Sequence, residues 1–529
     1  MMEKMRIMDE RAEPFLVHAF NTAIVFLIAS ATFFVLWHLV SLQPTGHDEA
    51  VYLTKARSWI EGTPANQWAI YRPIGMSVVG WLVLHFGESE RVIRTFGIIS
   101  GMFACGIIFL FFRKLTNLWV ALVVTTIVAT SYLFLQQAPQ FLNDISSSAL
   151  LIALLFTIFA YYRSRGGSNV IYLAAPLSAV AFYLRYGIVP ALTMIGFWTA
   201  VLLAPRVLRE KDMRLDKFLI TGAIIVALFA PHFLYSLSKT KSILGILASA
   251  RNVANLGYFG EGLVQYIHWL PDQIAGWPFG IAAIIGAAAT VAFLVIRPMR
   301  EKYTGLAWIG AIGFSTFVLT GLFAHAEQRY VFFPMVLLAG VGVASVYYAV
   351  AFFSEMIANM LAVLCVAGVL AVGVHHYQDL DTFFRSRENN PTTIAYGQTY
   401  EAIRKDAVGK SGCSIWLVQF LPSTAWYTGC SVYSITTKNK FNTDFSASAD
   451  DIHYSVVVTK LKNSQIDEKT ANSFGVSISE IYRLSNLPAG EIIVYRIAKG
   501  ASSTISTSTT NASSPTATTT VATSTQIMQ

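Results

Sequence analysis

Apolar runs long enough to cross a bilayer recur along most of this chain, and few folds are open to a sequence built that way. A run of about 20 apolar residues spans the hydrocarbon core as a helix, and inside lipid every backbone N–H and C=O must find its partner within the segment or a closed sheet. The sequence predicts about eleven such spans, at 17–42, 92–112, 118–138, 145–162, 170–186, 187–204, 218–237, 277–296, 306–324, 331–353 and 357–376. The 529 residues are 54% hydrophobic and 13% charged, about half the charged share of a soluble domain. The expected fold class is therefore an α-helical polytopic membrane protein. The first run is too long, and too closely followed by others, for a cleaved leader, and is expected to stay as an anchor.

Orientation follows from where Lys and Arg fall among the short loops. Arg113-Lys114, Arg163 with Arg165, the cluster Arg206, Arg209, Lys211, Arg214 and Lys217, and the group Arg297, Arg300 and Lys302 share one side with Lys4, Arg6 and Arg11. That predicts a cytoplasmic amino terminus over 1–16 and a multi-pass protein of the plasma membrane. An odd number of spans then puts residues 43–91, the 238–276 loop, the 324–329 turn and everything after His376 outside. The net charge of +8 is this topology signal, and no nucleic-acid partner is read from it.

The first outer loop is the most unusual stretch. Gly46-His47-Asp48-Glu49-Ala50-Val51-Tyr52 opens an amphipathic helix whose apolar side carries Tyr52, Ala56, Trp59 and Ile60, and Gly62-Thr63-Pro64 ends it. Two acids in a first turn have an ordinary reading, Asp48 as cap and Glu49 as complement to the helix dipole. Their position beside a membrane span argues for more. Arg72-Pro73 then precedes a run from Ile74 to Phe86, too short to cross, which predicts a second helix lying in the interface.

Three later places add ionisable groups to the same side. Asp144 starts a re-entering span, where Asn143 and Asp144 are also both good caps, and Arg185 falls at the next outer end, where it either snorkels or meets a phosphate. His325-Ala326-Glu327-Gln328-Arg329-Tyr330 packs charges between two apolar spans, at a cost unless they are paired or used. The 238–276 loop, with Tyr258, Phe259, Glu261, Tyr266, His268, Trp269 and Trp277, suits a lid over a sugar or lipid and an interfacial aromatic belt equally. Beyond His376, strand-like runs at 414–419, 431–435, 454–459 and 491–497 predict an exterior α/β module over 377–500. Cys413 and Cys430 lie in it and form a plausible disulfide pair. Residues 501–529 are Ser/Thr-rich and predicted to be disordered, with one glycosylation sequon at Asn511.

Carboxylates and arginines gathered at a lipid surface suit sugar transfer from a polyprenyl phosphate. The acceptor hydroxyl must lose a proton, and the departing phosphate gains charge. A carboxylate supplies the base or holds a divalent metal, and Arg offers phosphate a two-pronged fork. In these ordered residues the chain resembles the GT-C membrane glycosyltransferases, in the branch of protein O-mannosyltransferases and lipid A aminoarabinose transferases. The resemblance covers roughly 17–350, the expected transmembrane catalytic part of 17–376. It rests on Asp48-Glu49 with Ala50-Val51-Tyr52 and Gly62, Arg72-Pro73, Phe86-Gly87-Glu88-Ser89-Glu90, Asp144, and His325 to Tyr330 with Pro334. It implies an inverting direct displacement from a dolichyl- or undecaprenyl-phosphate sugar to a lipid, glycan or protein acceptor. It also implies a catalytic Asp48 supported by Glu49, a donor phosphate held by Arg72 and Arg329 with Arg185 at hand, and Glu49 and Asp144 as metal ligands if a divalent ion is used. Tyr52, His325, Glu327 and Tyr330 are accessory. Arg72 stands where some members have Lys, and Ala326 where a basic residue is common.

The competing class is a transporter or flippase of lipid-linked saccharides, which would place ionisable groups near the midplane of its spans. A membrane-anchored scaffold leaves the clustered acids unexplained.

Overall fold

The computed structural model describes residues 15–40, 44–210, 215–253, 258–323, 325–410, 412–417, 419–434, 438–448, 451–460, 465–485, 487–488 and 490–499. The basic residues Lys4, Arg6, Arg11, Lys211 and Arg214 and the 501–529 tail with Asn511 lie outside the described residues.

Among the described residues, nine helices are long and apolar enough to cross a membrane. They match nine of the eleven expected spans. The other two are each built from two shorter pieces, Leu118–Ala129 followed by Tyr132–Gln137, and a 3-10 turn Asn169–Leu173 running into Ala174–Leu184. The first break has a local cause. The Thr130 hydroxyl bonds back to the Thr126 carbonyl at 2.7 Å, while the Ser131 hydroxyl accepts from the Phe134 N–H at 3.3 Å and so caps a new helix. The sequence shows one apolar run because neither residue interrupts hydropathy.

Burial separates bundle centre from lipid-facing rim. The Asp144–Arg163 helix is 78% buried over its most apolar stretch, whereas the helices at Ala19–Leu39 and Asp216–Thr240 are 11% buried. A helix apolar all round but uncovered by protein is what a lipid neighbour requires. Gly97 shows how tightly the centre closes, because a Cβ there would lie 2.4 Å from the Ala138 carbonyl oxygen. That approach sets the 138–141 turn against the Glu90–Leu115 helix.

The two stretches read as short non-crossing helices are helical, at His47–Glu61 and Ile74–Leu84. Gly62 ends the first in the left-handed region, at φ 71°, a conformation that costs glycine little. The last apolar helix runs from Glu355 to Glu388, twelve residues beyond the expected end at His376, and leads into the module.

The module is a five-stranded mixed sheet in the order β2-β1-β3-β5-β4, with β1 Cys413–Leu417, β2 Ser431–Ser434, β3 Ile452–Val458, β4 Val476–Leu484 and β5 Ile492–Lys499. β1 runs parallel to β2 and β3, and β5 antiparallel to β3 and β4. Four strands match the sequence reading, and β4 was not expected. It is an edge strand, and a register shift between Glu480 and Tyr482 breaks the period-two pattern that would have revealed it. Cys413 and Cys430 are disulfide-bonded, while Cys105 is free and buried within a span.

Candidate active site

The site begins at the first turn of the His47–Glu61 helix, where the two neighbouring acids do different things. Glu49 lies three residues past the Gly46 cap and accepts its N–H at 2.7 Å, the second half of a capping box. Its other oxygen accepts the Phe141 N–H at 2.8 Å. Arg94, 1% exposed on the Glu90–Leu115 helix, then grips both oxygens at 3.1 Å. Glu49 is thus fully engaged within the protein. Burial works to raise its carboxyl, but Arg94 and the two backbone donors hold it below its ordinary value.

Asp48 does not cap. Its carboxylate faces away from the helix end and lies between two guanidinium groups, Arg72 at 2.7 Å on one oxygen and Arg329 at 3.0 Å on the other. Burial would raise this carboxyl, yet Arg329 and Arg72 outweigh it and hold it well below the usual carboxylate range. The Asp48 side chain retains 27% exposure, so the group is charged and reachable. Its neighbour His47 sits 3.3 Å from Arg72, and burial with the nearby arginines lowers its pKa.

Each arginine is delivered by a short irregular segment. Arg72 ends a turn closed by its own N–H on the Ala69 carbonyl, just before Pro73 caps Ile74–Leu84. Arg329 lies in the 3-10 turn Gln328–Val331, where Glu327 pairs with its Nε and His325 meets Glu327 at 3.0 Å. Burial opposes ionisation of Glu327, but the His325 hydrogen bond and Arg329 bring its carboxyl down to about 2. Tyr266 braces this turn from the aromatic loop. Its hydroxyl donates to the Glu327 carbonyl at 3.0 Å and accepts the Glu327 N–H at 3.2 Å.

Asp144 also meets arginine instead of capping. It pairs with Arg185 and lies 3.9 Å from Arg329, while Asn143 bonds the Leu184 carbonyl at 2.7 Å. Arg185 stacks on Tyr330 at 4.7 Å. Tyr52 closes the group from the helix side, 5.9 Å under Arg72.

The structure therefore brings together Asp48, Arg72, Arg329, Asp144, Arg185, Tyr52, His325, Glu327 and Tyr330 from five separate segments. Glu49 stands apart, turned into the protein behind Asp48. The metal expectation for Glu49 and Asp144 finds no fitting geometry. Glu49 has both oxygens committed, Asp144 faces two arginines, and among the described residues no group of three His, Cys, Asp or Glu is placed to hold an ion. Two contributors were missed from sequence. Arg94 carried a signal, a charge near the start of an apolar helix, and Tyr266 carried none beyond its aromatic company.

In its helical bundle and small sheet module the chain shares the GT-C fold with the solved structures described next. Residues 72–235 match the family model described as Dolichyl-phosphate-mannose-protein mannosyltransferase. Among solved structures, ArnT from Cupriavidus metallidurans bound to undecaprenyl phosphate is similar at 14% identity, with a TM-score of 0.62 over 90% of this chain and 98% of that one. The archaeal oligosaccharyltransferase AglB from Archaeoglobus fulgidus, in complex with an inhibitory peptide and a dolichol-phosphate, is similar at 10% identity. Its TM-score is 0.56 over 83% of this chain and 69% of that one. No curated relative matches by sequence.

Proposed function

We propose that this protein is a glycosyltransferase that moves a sugar from a polyprenyl-phosphate donor to an acceptor on the exterior face of the plasma membrane. The observation that carries this reading is the placement of one charged, reachable carboxylate, Asp48, between two arginines. The similarity to ArnT bound to undecaprenyl phosphate and to AglB with a dolichol-phosphate supports the lipid class of the donor.

The acceptor oxygen attacks the anomeric carbon from the side opposite the phosphate. The new C–O bond forms as the bond to phosphate breaks, and inversion follows. The acceptor's proton passes to Asp48, and the electron pair of the breaking bond stays on the phosphate oxygen. Arg72 and Arg329 stabilise that charge, with Arg185 behind them, and fixed cations aimed at a developing charge act strongly in a poorly hydrated site. Glu49 and Arg94 hold the helix start in place. No step passes through a metal.

An 810 Å³ cavity walled by Tyr132, Trp269, Trp277, Asp272 and His376 reaches Gln328, the residue next to Arg329. The transporter alternative is disfavoured by the same geometry, because Asp48 belongs to a helix that does not cross and Asp144 and Arg329 start their helices. Purified protein in lipid nanodiscs, given labelled polyprenyl-phosphate sugars and scored for transfer, tests the reading. Lipid flipping without transfer would replace it with the transporter.

A further inference from the structure

The exterior-module helix Leu421–Thr428 is docked on the segment that leads into Asp48. Thr45, three residues before Asp48 and 2% exposed, has both backbone polar groups taken by that helix. Its N–H donates to the Tyr427 hydroxyl at 2.8 Å, and its carbonyl accepts from the Ser423 hydroxyl at 3.0 Å. The Tyr427 hydroxyl in turn donates to Glu90 at 2.7 Å. Glu90 opens the same helix that carries Arg94, so one phenol ties the approach to Asp48 to the helix that anchors Glu49.

Further contacts hold the docked helix and the strand that follows it. Trp426, 2% exposed, packs in the same cluster as Ala50, Tyr52, Leu53 and Phe141. Its ring lies under the Arg57 guanidinium at 3.8 Å, and its carbonyl accepts from Arg57. The Asn66 side chain pairs with both backbone groups of Val432 in β2. The helix occupies the crossover between β1 and β2, and the Cys413–Cys430 disulfide closes that loop across a separation of 17 residues. Tyr427 is also stacked on Tyr400 at 5.7 Å, which fixes its ring from the module side.

We propose that the carboxy-terminal module is a working part of the active site, with Tyr427 and Ser423 as positioning residues that set the place of Asp48 through the backbone of Thr45. This rests on Asp48 as the proton acceptor. The physical case is one of geometry. Asp48 must meet arginines that arrive on two unrelated segments, and misplacing a reacting group by about 1 Å costs on the order of 100-fold in rate. Hydrogen bonds to both backbone polar groups of one buried residue, made by side chains of a helix inside a disulfide-closed loop, supply that restraint. Packing alone would need neither hydroxyl.

Tyr427→Phe keeps the ring, its stack on Tyr400 and its volume, and removes only the hydroxyl. Ser423→Ala does the same for the other contact. Both variants, full length in nanodiscs, are expected to fold and to bind donor within about twofold of wild type, while kcat falls about 10- to 100-fold. The combination Tyr427→Phe with Asp48→Asn is expected to be no slower than Asp48→Asn alone, because a residue acting through Asp48 has nothing to position once the base is gone. Wild-type kcat in both single variants, with Asp48→Asn inactive, overturns the positioning role and leaves the base intact. A further fall in the combined variant also overturns it. Activity retained in Asp48→Asn overturns the base itself, a separable result.

Discussion

Asp48 and Arg329 stand 281 residues apart in the chain and 3.0 Å apart in space. With Arg72 on its other oxygen, Asp48 shares both cations proposed to hold the lipid phosphate, and on that proposal donor and carboxylate compete for them. Changing Asp48→Asn removes the base and one competitor together. Turnover is expected to fall by about 100- to 10,000-fold, while donor affinity stays equal or improves. The helix start should survive, because Glu49 and not Asp48 caps it, while loss of the charge pairing with Arg72 and Arg329 lowers stability. Single-turnover transfer and donor titration measure both quantities, and near wild-type turnover would return Asp48 to a structural role.

If Arg72 and Arg329 grip one phosphate, their losses cannot be independent. Each single change to Ala should cost about 2–4 kcal/mol in the transition state, and the double variant should cost less than the sum. Arg72→Lys should be milder than Arg72→Ala, since charge survives and the fork is lost. Strict additivity, or unchanged donor affinity in both singles, would remove the shared phosphate site.

Glu49 and Arg94 form a pair of the opposite kind, with side chains 3% and 2% exposed. Removing one partner of such a buried pair strands a charge and costs about 3–5 kcal/mol of stability. Arg94→Met and Glu49→Gln are therefore expected to lower the melting temperature in detergent before any kinetic role can be read. A Glu49→Gln protein of normal stability that loses only kcat would make Glu49 a catalytic residue after all.

Much of this was legible in the sequence because charge is rare in it. Asp48, Arg72, Asp144 and Arg329 stood out against apolar surroundings, and the Lys and Arg asymmetry placed them on one side. What hydropathy could not carry was partner choice. Nothing local distinguishes Asp48 from Glu49, and only the fold shows that Gly46, Phe141 and Arg94 claim the second. The break at Thr130-Ser131 escaped for a related reason, since a hydroxyl turns a helix without making it polar. Tyr427 and Ser423 lay in a soluble module far from every membrane signal.

Orientation can be checked directly. Introduced cysteines at Gln265 and Ser446, in the aromatic loop and the module, should react with an impermeant thiol reagent on intact cells. Labelling only after lysis would invert the topology drawn from the Lys and Arg distribution.

The pH dependence of stability tests the arginine turn. The Glu327 carboxyl is brought from 4.5 to about 2 in the folded protein, against burial, by His325 and Arg329. A group whose folded value lies below its unfolded value adds stability that is complete above the unfolded value and is lost as pH falls toward the folded one. The Glu327 contribution should therefore be intact at neutral pH and decline from about pH 4.5 to about pH 2. Asp48 shifts in the same direction and adds to the decline. Melting temperatures of wild type and Glu327→Gln, measured across that window, should converge as pH is lowered, because protonation makes the wild-type residue neutral like its replacement. A difference that stays constant or widens on acidification would show that Glu327 is not held ionised by its neighbours.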